Sequence, residues 1–342
     1  MRPARVLSAV AVAVVAAVAA AGADDWTTKP PVGGQAKEFP ITAALNMRPT
    51  THPFRSCRGR VVLFTAFETW YPRCEEGVPD INGIYDKYGP KGLTVLAYGA
   101  QEKAKVEPWI TEKGAKFPWV LIDTPTQEQF KRDWPAPGVP WAYLLDVDGK
   151  IVWQENPRNM QNQNVLKPGT LEPLLAQATA APWLPKALAE QQVLLDAGTW
   201  SAAKKSLEEA AAGGKLDKTD TNWAKETAAW IGRRHDVAVA HADELCKKGW
   251  WWDAWDEMND FPKKYEGMDG ADKAAAKAAE IRAVADAAKD LKTGDDVVKA
   301  RDLVAKKNWV PARLILTRLT KETKGTRYAE RVAELWEPVP AK

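Results

Sequence analysis

At 342 residues, with 45% hydrophobic and 27% charged side chains, the chain has ordinary globular composition and enough length for two domains. Its 48 basic and 45 acidic residues leave a net charge of +3, and the doublets Lys204-Lys205, Lys247-Lys248 and Lys306-Lys307 all have acidic residues nearby. That pattern describes solvated helix faces and excludes a phosphate-binding stripe, so nucleic acid is not an expected partner.

In chain order, Arg2 and Arg5 precede an apolar run from Val6 to Ala21 that closes in Ala21-Gly22-Ala23. A basic start, a short apolar stretch and a small-residue site describe a signal peptide over residues 1–23. The competing reading is an uncleaved anchor, but an alanine-rich run short of ~20 residues favours cleavage. The expectation is secretion across the inner membrane, to the periplasm or beyond, with no membrane span afterwards.

Residues 24 to about 60 are loop-rich. Val61-Val62-Leu63-Phe64-Thr65-Ala66-Phe67 then has the continuous apolar, β-branched character of a strand buried on both faces. The pattern predicts a helix from Pro72 to Tyr88, ended by Gly89-Pro90, and a second strand over Leu93 to Tyr98. A helix over Val106 to Lys113, a strand at Trp119 to Ile122, and a hairpin around Asp148-Gly149 complete this part. Strands alternating with helices imply a parallel core sheet. The expected division is an α/β domain over 24–160, a polar linker over 161–169, and a second domain over 170–342.

Beyond the linker, strand patterns vanish and helical periodicity takes over, with Ala271 to Leu291 expected as one long helix. A weak repeat runs through this all-α part. Leu194, Trp200, Ala203 and Leu207 recur as Leu245, Trp251, Ala254 and Met258, then as Leu303, Trp309, Ala312 and Leu316. Each set describes a helix, a tight turn, and an aromatic residue opening the next helix, with a small Ala for close approach. The pattern loosely resembles the middle of a tetratricopeptide repeat, although spacings of 51 and 58 residues exceed the usual ~34. Trp250-Trp251-Trp252 with Trp255 raises the question of a stacking surface for sugars or peptides. Trp251 and Trp255 are expected in the core, leaving Trp250 and Trp252 as a candidate aromatic patch.

The chemistry concentrates in Glu68-Thr69-Trp70-Tyr71-Pro72-Arg73-Cys74, at the strand-to-helix turn where open α/β sheets place their sites. A thiol opening a helix is positioned for a lowered pKa. This segment, together with Pro79, Gly138-Val139-Pro140, Trp141 to Asp146 and Asp148-Gly149, resembles TlpA-type thioredoxin-like proteins, a family of exported thiol–disulfide oxidoreductases. The resemblance covers about residues 33–155. It implies a thioredoxin-like fold, with Pro140 as the cis-proline, Trp70 as the flanking aromatic and Cys74 as the second, resolving cysteine. Tyr71 stands where the attacking cysteine belongs, and a phenol of pKa ~10 forms no mixed disulfide.

Only two other cysteines exist, Cys57 and Cys246. Cys57 should lie at the far end of a strand spanning ~23 Å, beyond the ~7 Å reach of a disulfide. Cys246 is expected as a buried thiol in the helical domain. His52, His235 and His241 lack metal-ligand spacing, and no cofactor motif is present, so neither metal nor cofactor is expected. The leading expectation is a thioredoxin-fold protein with a degenerate site, binding protein or peptide partners. The alternatives are a one-cysteine oxidoreductase or peroxidase acting through Cys74, and an envelope scaffold.

Overall fold

The structure is a computed structural model describing residues 32–47, 50, 52–134, 136, 138–157, 171–268 and 270–340. The expected signal peptide and linker lie outside the described residues.

The first part is a six-stranded mixed sheet. Its strands are β1 (Ala43–Leu45), β2 (Val61–Ala66), β3 (Leu93–Gly99), β4 (Trp119–Leu121), β5 (Trp141–Leu145) and β6 (Ile151–Glu155), in the order β1-β4-β3-β2-β5-β6. β2 pairs in parallel with β3 from Val61↔Leu93 to Ala66↔Tyr98, and antiparallel with β5 from Val62↔Leu145 to Ala66↔Trp141. Every residue of β2 is buried, as its unbroken apolar sequence requires of a central strand covered on both faces.

Helix α1 (Pro72–Tyr88) covers one face, burying Cys74, Val78, Ile81, Tyr85 and Tyr88 along one stripe. With α2 (Lys103–Lys113) it builds a core around Leu63, Val95 and Trp119. The opposite face carries an aromatic core of Phe39, Phe54, Phe64, Phe130, Trp134 and Tyr143. Two elements there exceed the sequence expectation. β1 is a three-residue edge strand, and α3 (Thr124–Asp133) is nucleated by Asp123, whose side chain accepts from the Thr126 amide at 2.8 Å.

The remainder is helical: α4 (Leu171–Ala176), α5 (Ala189–Asp196), α6 (Trp200–Ala212), α7 (Lys218–Lys247), α8 (Trp251–Lys264), α9 (Ala271–Ala283), α10 (Ala288–Ala305), α11 (Trp309–Glu322) and α12 (Tyr328–Trp336). Trp200, Trp251 and Trp309 open α6, α8 and α11. Ala203, Ala254 and Ala312 are fully buried, as are Leu207, Met258 and Leu316. The three turns are alike in detail. Thr199, Trp250 and Asn308 donate their amides to the carbonyls of Leu194, Leu245 and Leu303, five residues back, at 2.8–3.0 Å. The residue between helices is left-handed each time: Gly198 (φ +74°), Gly249 (φ +71°) and, without glycine, Lys307 (φ +55°).

One predicted helix is broken. Ala271 to Leu291 is divided where Val284 turns extended (ψ 120°), followed by a 3-10 turn at Ala285–Ala287. Ile281 packs into the core shared with α7 and α8, whereas Ala287 and Leu291 pack into a separate core with α11 and α12. One straight helix cannot serve both cores.

The two parts are packed together. Trp223 of α7, 1% exposed, sits 5.1 Å from the Tyr85 ring and over Gly89, where an added Cβ would lie 2.2 Å from the indole. The Gly59 carbonyl accepts the amides of Thr179 and Ala180 at 2.7 and 2.9 Å. At the far end of the array, Arg55 reaches Glu334 (2.9 Å) and Glu337 (3.3 Å), and Arg58 reaches Glu330 (2.8 Å).

Candidate functional site

The β2–α1 turn builds the site. β2 delivers the chain to Phe67 at the sheet edge. Tyr71, in extended conformation, caps α1, and Pro72 takes the first helical position, where a missing N–H costs nothing. The Cys74 amide donates to the Tyr71 carbonyl at 2.9 Å, fixing the first turn. Thr69 is held by a reciprocal pair with Gln101: its amide donates to Gln101 Oε1 at 2.9 Å, and Gln101 Nε2 donates to Thr69 Oγ1 at 2.8 Å.

Two classes of side chain result. Trp70 is 69% exposed, its indole N–H donating to Glu68 at 3.2 Å and its ring edge-on to Tyr71 at 5.8 Å. Pro72 and Arg73 are also exposed, and Tyr71 is half-buried. Cys74 points the other way, fully buried in the core beneath α1. The Glu68 amide donates to its Sγ at 3.4 Å. Burial pushes the thiol up to about 11; the Glu68 amide opposes the rise and the Glu68 carboxylate adds to it. The same burial raises the Glu68 carboxyl, against the pull of Trp70 and Lys131. Arg73 makes no ion pair with any described residue.

Pro140 follows a cis peptide bond at Val139 and immediately precedes β5, whose Trp141 pairs with Ala66 at the end of β2. The register therefore brings Pro140 to the same sheet edge as Trp70–Cys74. Thr65 is buried and donates its hydroxyl to the Trp141 carbonyl at 3.2 Å, tying the two strands together beneath the site.

The structure keeps the three cysteines apart, all of them free. Cys57 lies in a turn before β2, within the aromatic core on the opposite face of the sheet, its thiol pushed up to about 12 by burial. Cys246 ends α7 and is half-buried rather than buried, which corrects the sequence expectation: the last turn of α7 stands at the edge of the array. Among the described residues no cluster of His, Cys, Asp or Glu has metal-binding geometry. No described helix is long and apolar enough to cross a membrane.

The aromatic patch expected at Trp250 and Trp252 does not form. Trp252 is 6% exposed and fills a notch at Gly294 of α10, where a Cβ would sit 1.8 Å from the indole. Its amide donates to Asp290 at 2.9 Å. Trp250 is half-buried, with Lys248 and Arg327 over its ring at 5.1 and 5.4 Å. Trp251 and Trp255, expected as core, are only half-buried, because α8 presents Trp252 to α10.

Sequence reasoning did not single out Glu68 as the group that hydrogen-bonds the sulfur, although it lies in the motif. It also missed Gln101, which carries no local signal. A third omission is a buried network in the helical part, where Arg234 pairs with Glu257 and His241 Nδ1 lies 2.6 Å from the same carboxylate.

Comparison with known proteins matches residues 31–167 to the Redoxin family model. The thiol-disulfide oxidoreductase ResA of Bacillus thuringiensis (strain Al Hakam) is 29% identical over 124 residues, which are 36% of this chain and 68% of that protein. ResA of Geobacillus kaustophilus (strain HTA426) is 29% identical over 121 residues, 35% of this chain and 66% of its own length. Among solved structures, the thioredoxin domain of a thiol-disulfide oxidoreductase from Bacteroides vulgatus is 20% identical and covers 37% of this chain and 89% of its own, with a TM-score of 0.34.

Proposed function

Because residues 31–167 match the Redoxin family model and the six-stranded sheet within them is thioredoxin-like, we propose that the protein is exported and works by binding an extended peptide or protein partner, without dithiol catalysis. The observation that carries this reading is the state of its one site sulfur. Cys74 is buried with its thiol at about 11, and Tyr71 occupies the neighbouring helix-capping position. At neutral pH only about one thiol in ten thousand would be ionised. What remains exposed at the turn is Trp70, Pro72 and Arg73, beside the Pro140 edge. An exposed aromatic platform beside the loop that leads into β5 suits contact with an extended chain. Export rests on the basic and apolar pattern of residues 1–23.

A second reading is one-cysteine chemistry, as thiol oxidoreductase or peroxidase. The Glu68 amide on Sγ favours it, since an amide donor stabilises a thiolate, and the relatives above are named as thiol-disulfide oxidoreductases.

The two separate in one experiment. Label Cys74 with a thiol probe from pH 6 to 11, alongside insulin-reduction and peroxide assays of wild type and Cys74→Ser. The binding reading expects labelling to rise only above pH 10 and no turnover that depends on Cys74. Turnover abolished by Cys74→Ser would replace it with the enzymatic one.

A further inference from the structure

The three Trp-opened helices differ along one ridge, and the last of them leaves it bare. In the first two, the residue after the tryptophan reaches the following hairpin. Ser201 Oγ donates to the Glu266 carbonyl beyond α8 at 2.8 Å, and Trp252 fills the notch at Gly294 of α10. The equivalent residue of α11 is Val310, which is 73% exposed. One turn on, α6 and α8 carry the solvated charges Lys205 and Asp256, whereas α11 carries Leu314, 71% exposed.

Residues four apart stand one above the other on a helix, so Val310 and Leu314 form a single apolar ridge, continued by the exposed Thr317. The other large apolar side chains exposed among the described residues are Val32, Trp70 and Val193, and no two of these share a helix. A helical array ordinarily turns a polar face outward at its ends, where no repeat packs. Here the apolar ridge begins at the position that meets a hairpin in both earlier repeats. Helix α12 does not cover it, because its Tyr328 and Val332 join the buried core of Leu316 and Leu319.

The ridge borders an open groove of about 650 Å³ with Arg313, Arg318 and Lys321 along it, against Glu322. Arg318 is taken by Asp296 at 2.7 Å and by Glu322 at 3.9 Å. Arg313 donates to the Pro340 carbonyl, and neither it nor Lys321 forms an ion pair with a described residue. The groove is therefore apolar along its middle and cationic at its edge.

We infer that this ridge docks one amphipathic α-helix of a protein partner, which sets two apolar residues a turn apart against Val310 and Leu314 and carboxylates against Arg313 and Lys321. The site shares no residue with the Trp70 face and is independent of the reading above. A helix is the fitting occupant because the same ridge packs against helical hairpins in the earlier repeats. An acidic flank answers the two unpaired cations. A second copy of the chain would bring two such cationic grooves face to face, and two side chains bury too little apolar area to hold a protein on a bilayer.

The test uses the full chain and two fluorescein-labelled pools of side-chain-bridged helical peptides of about four turns, read by polarisation. Both pools carry leucine at i and i+4; one is flanked by glutamate and the other by lysine. The acidic pool is expected to bind, and the basic pool about tenfold more weakly. Leu314→Ser should weaken acidic binding about tenfold, as loss of a central apolar contact does, and Lys321→Glu severalfold. Leu314→Met should retain most binding, and Val193→Ser, at an exposed apolar residue of α5, should leave it unchanged. Because all these side chains are exposed, the variants should melt as the wild type does. Equal binding of both pools, binding of neither, or acidic binding indifferent to Leu314→Ser would each overturn the proposal. So would Leu314-dependent self-association in sedimentation, or Leu314-dependent flotation with phosphatidylglycerol vesicles in place of peptide binding.

Discussion

The two halves of this molecule keep their patterns in opposite ways. In the α/β half, strand, turn, capping Tyr71, Pro72 and the distant Pro140 converge on a single sulfur, Cys74, whose chemistry belongs to one residue type. In the helical half, the turn geometry is retained three times while its residues drift, to the point that Lys307 adopts the left-handed conformation of Gly198 and Gly249. A backbone shape survives substitution at modest cost, because its hydrogen bonds and buried Ala and Leu contacts are made by the whole turn. A reactive sulfur does not, because no other side chain supplies it.

The junction between the halves rests on one buried indole. Trp223→Ala removes a buried indole from against Tyr85 and Gly89 and should cost about 3–5 kcal/mol. Urea denaturation should then show the halves melting separately, whereas a single undiminished transition would mean that they are not coupled through Trp223.

A smaller effect is expected from the sulfur. The native Cys74 thiol, at about 11, lies above its unfolded value of ~8.5, so folding favours the protonated form. That contribution is fully present below about pH 8.5 and is lost as pH rises through about 11, amounting to roughly 3 kcal/mol. Stability measured at pH 8 and pH 10.5 should therefore fall less in Cys74→Ala than in wild type. Equal losses would show that the thiol titrates as in water.

The smallest effect lies in the repeats. Lys307→Gly relieves a strained left-handed residue and should raise stability by about 0.5–1 kcal/mol, while Gly249→Ala, at φ +71°, should lower it by about 1 kcal/mol. Thermal melts check both, and opposite signs are the expected outcome. Equal signs would break the equivalence of the three turns.

By itself, the sequence determined the elements whose signals are local. The buried strand Val61–Ala66, the helix Pro72–Tyr88, the hairpin at Asp148-Gly149, the three Trp-opened helices and the single sulfur of the β2–α1 turn all rest on neighbouring residues and short-range periodicity. Tertiary structure alone decided which tryptophan is buried and which titratable groups meet. Trp252 is sealed because Gly294, forty-two residues away, leaves room for an indole. Val284 breaks a helix because two cores pull on its ends. Cys74 is buried because α1 rolls it under the sheet edge, away from the solvent face that Trp70 keeps. Periodicity describes a face of a helix, but what that face meets is set by contacts distant in sequence, and burial follows from those contacts.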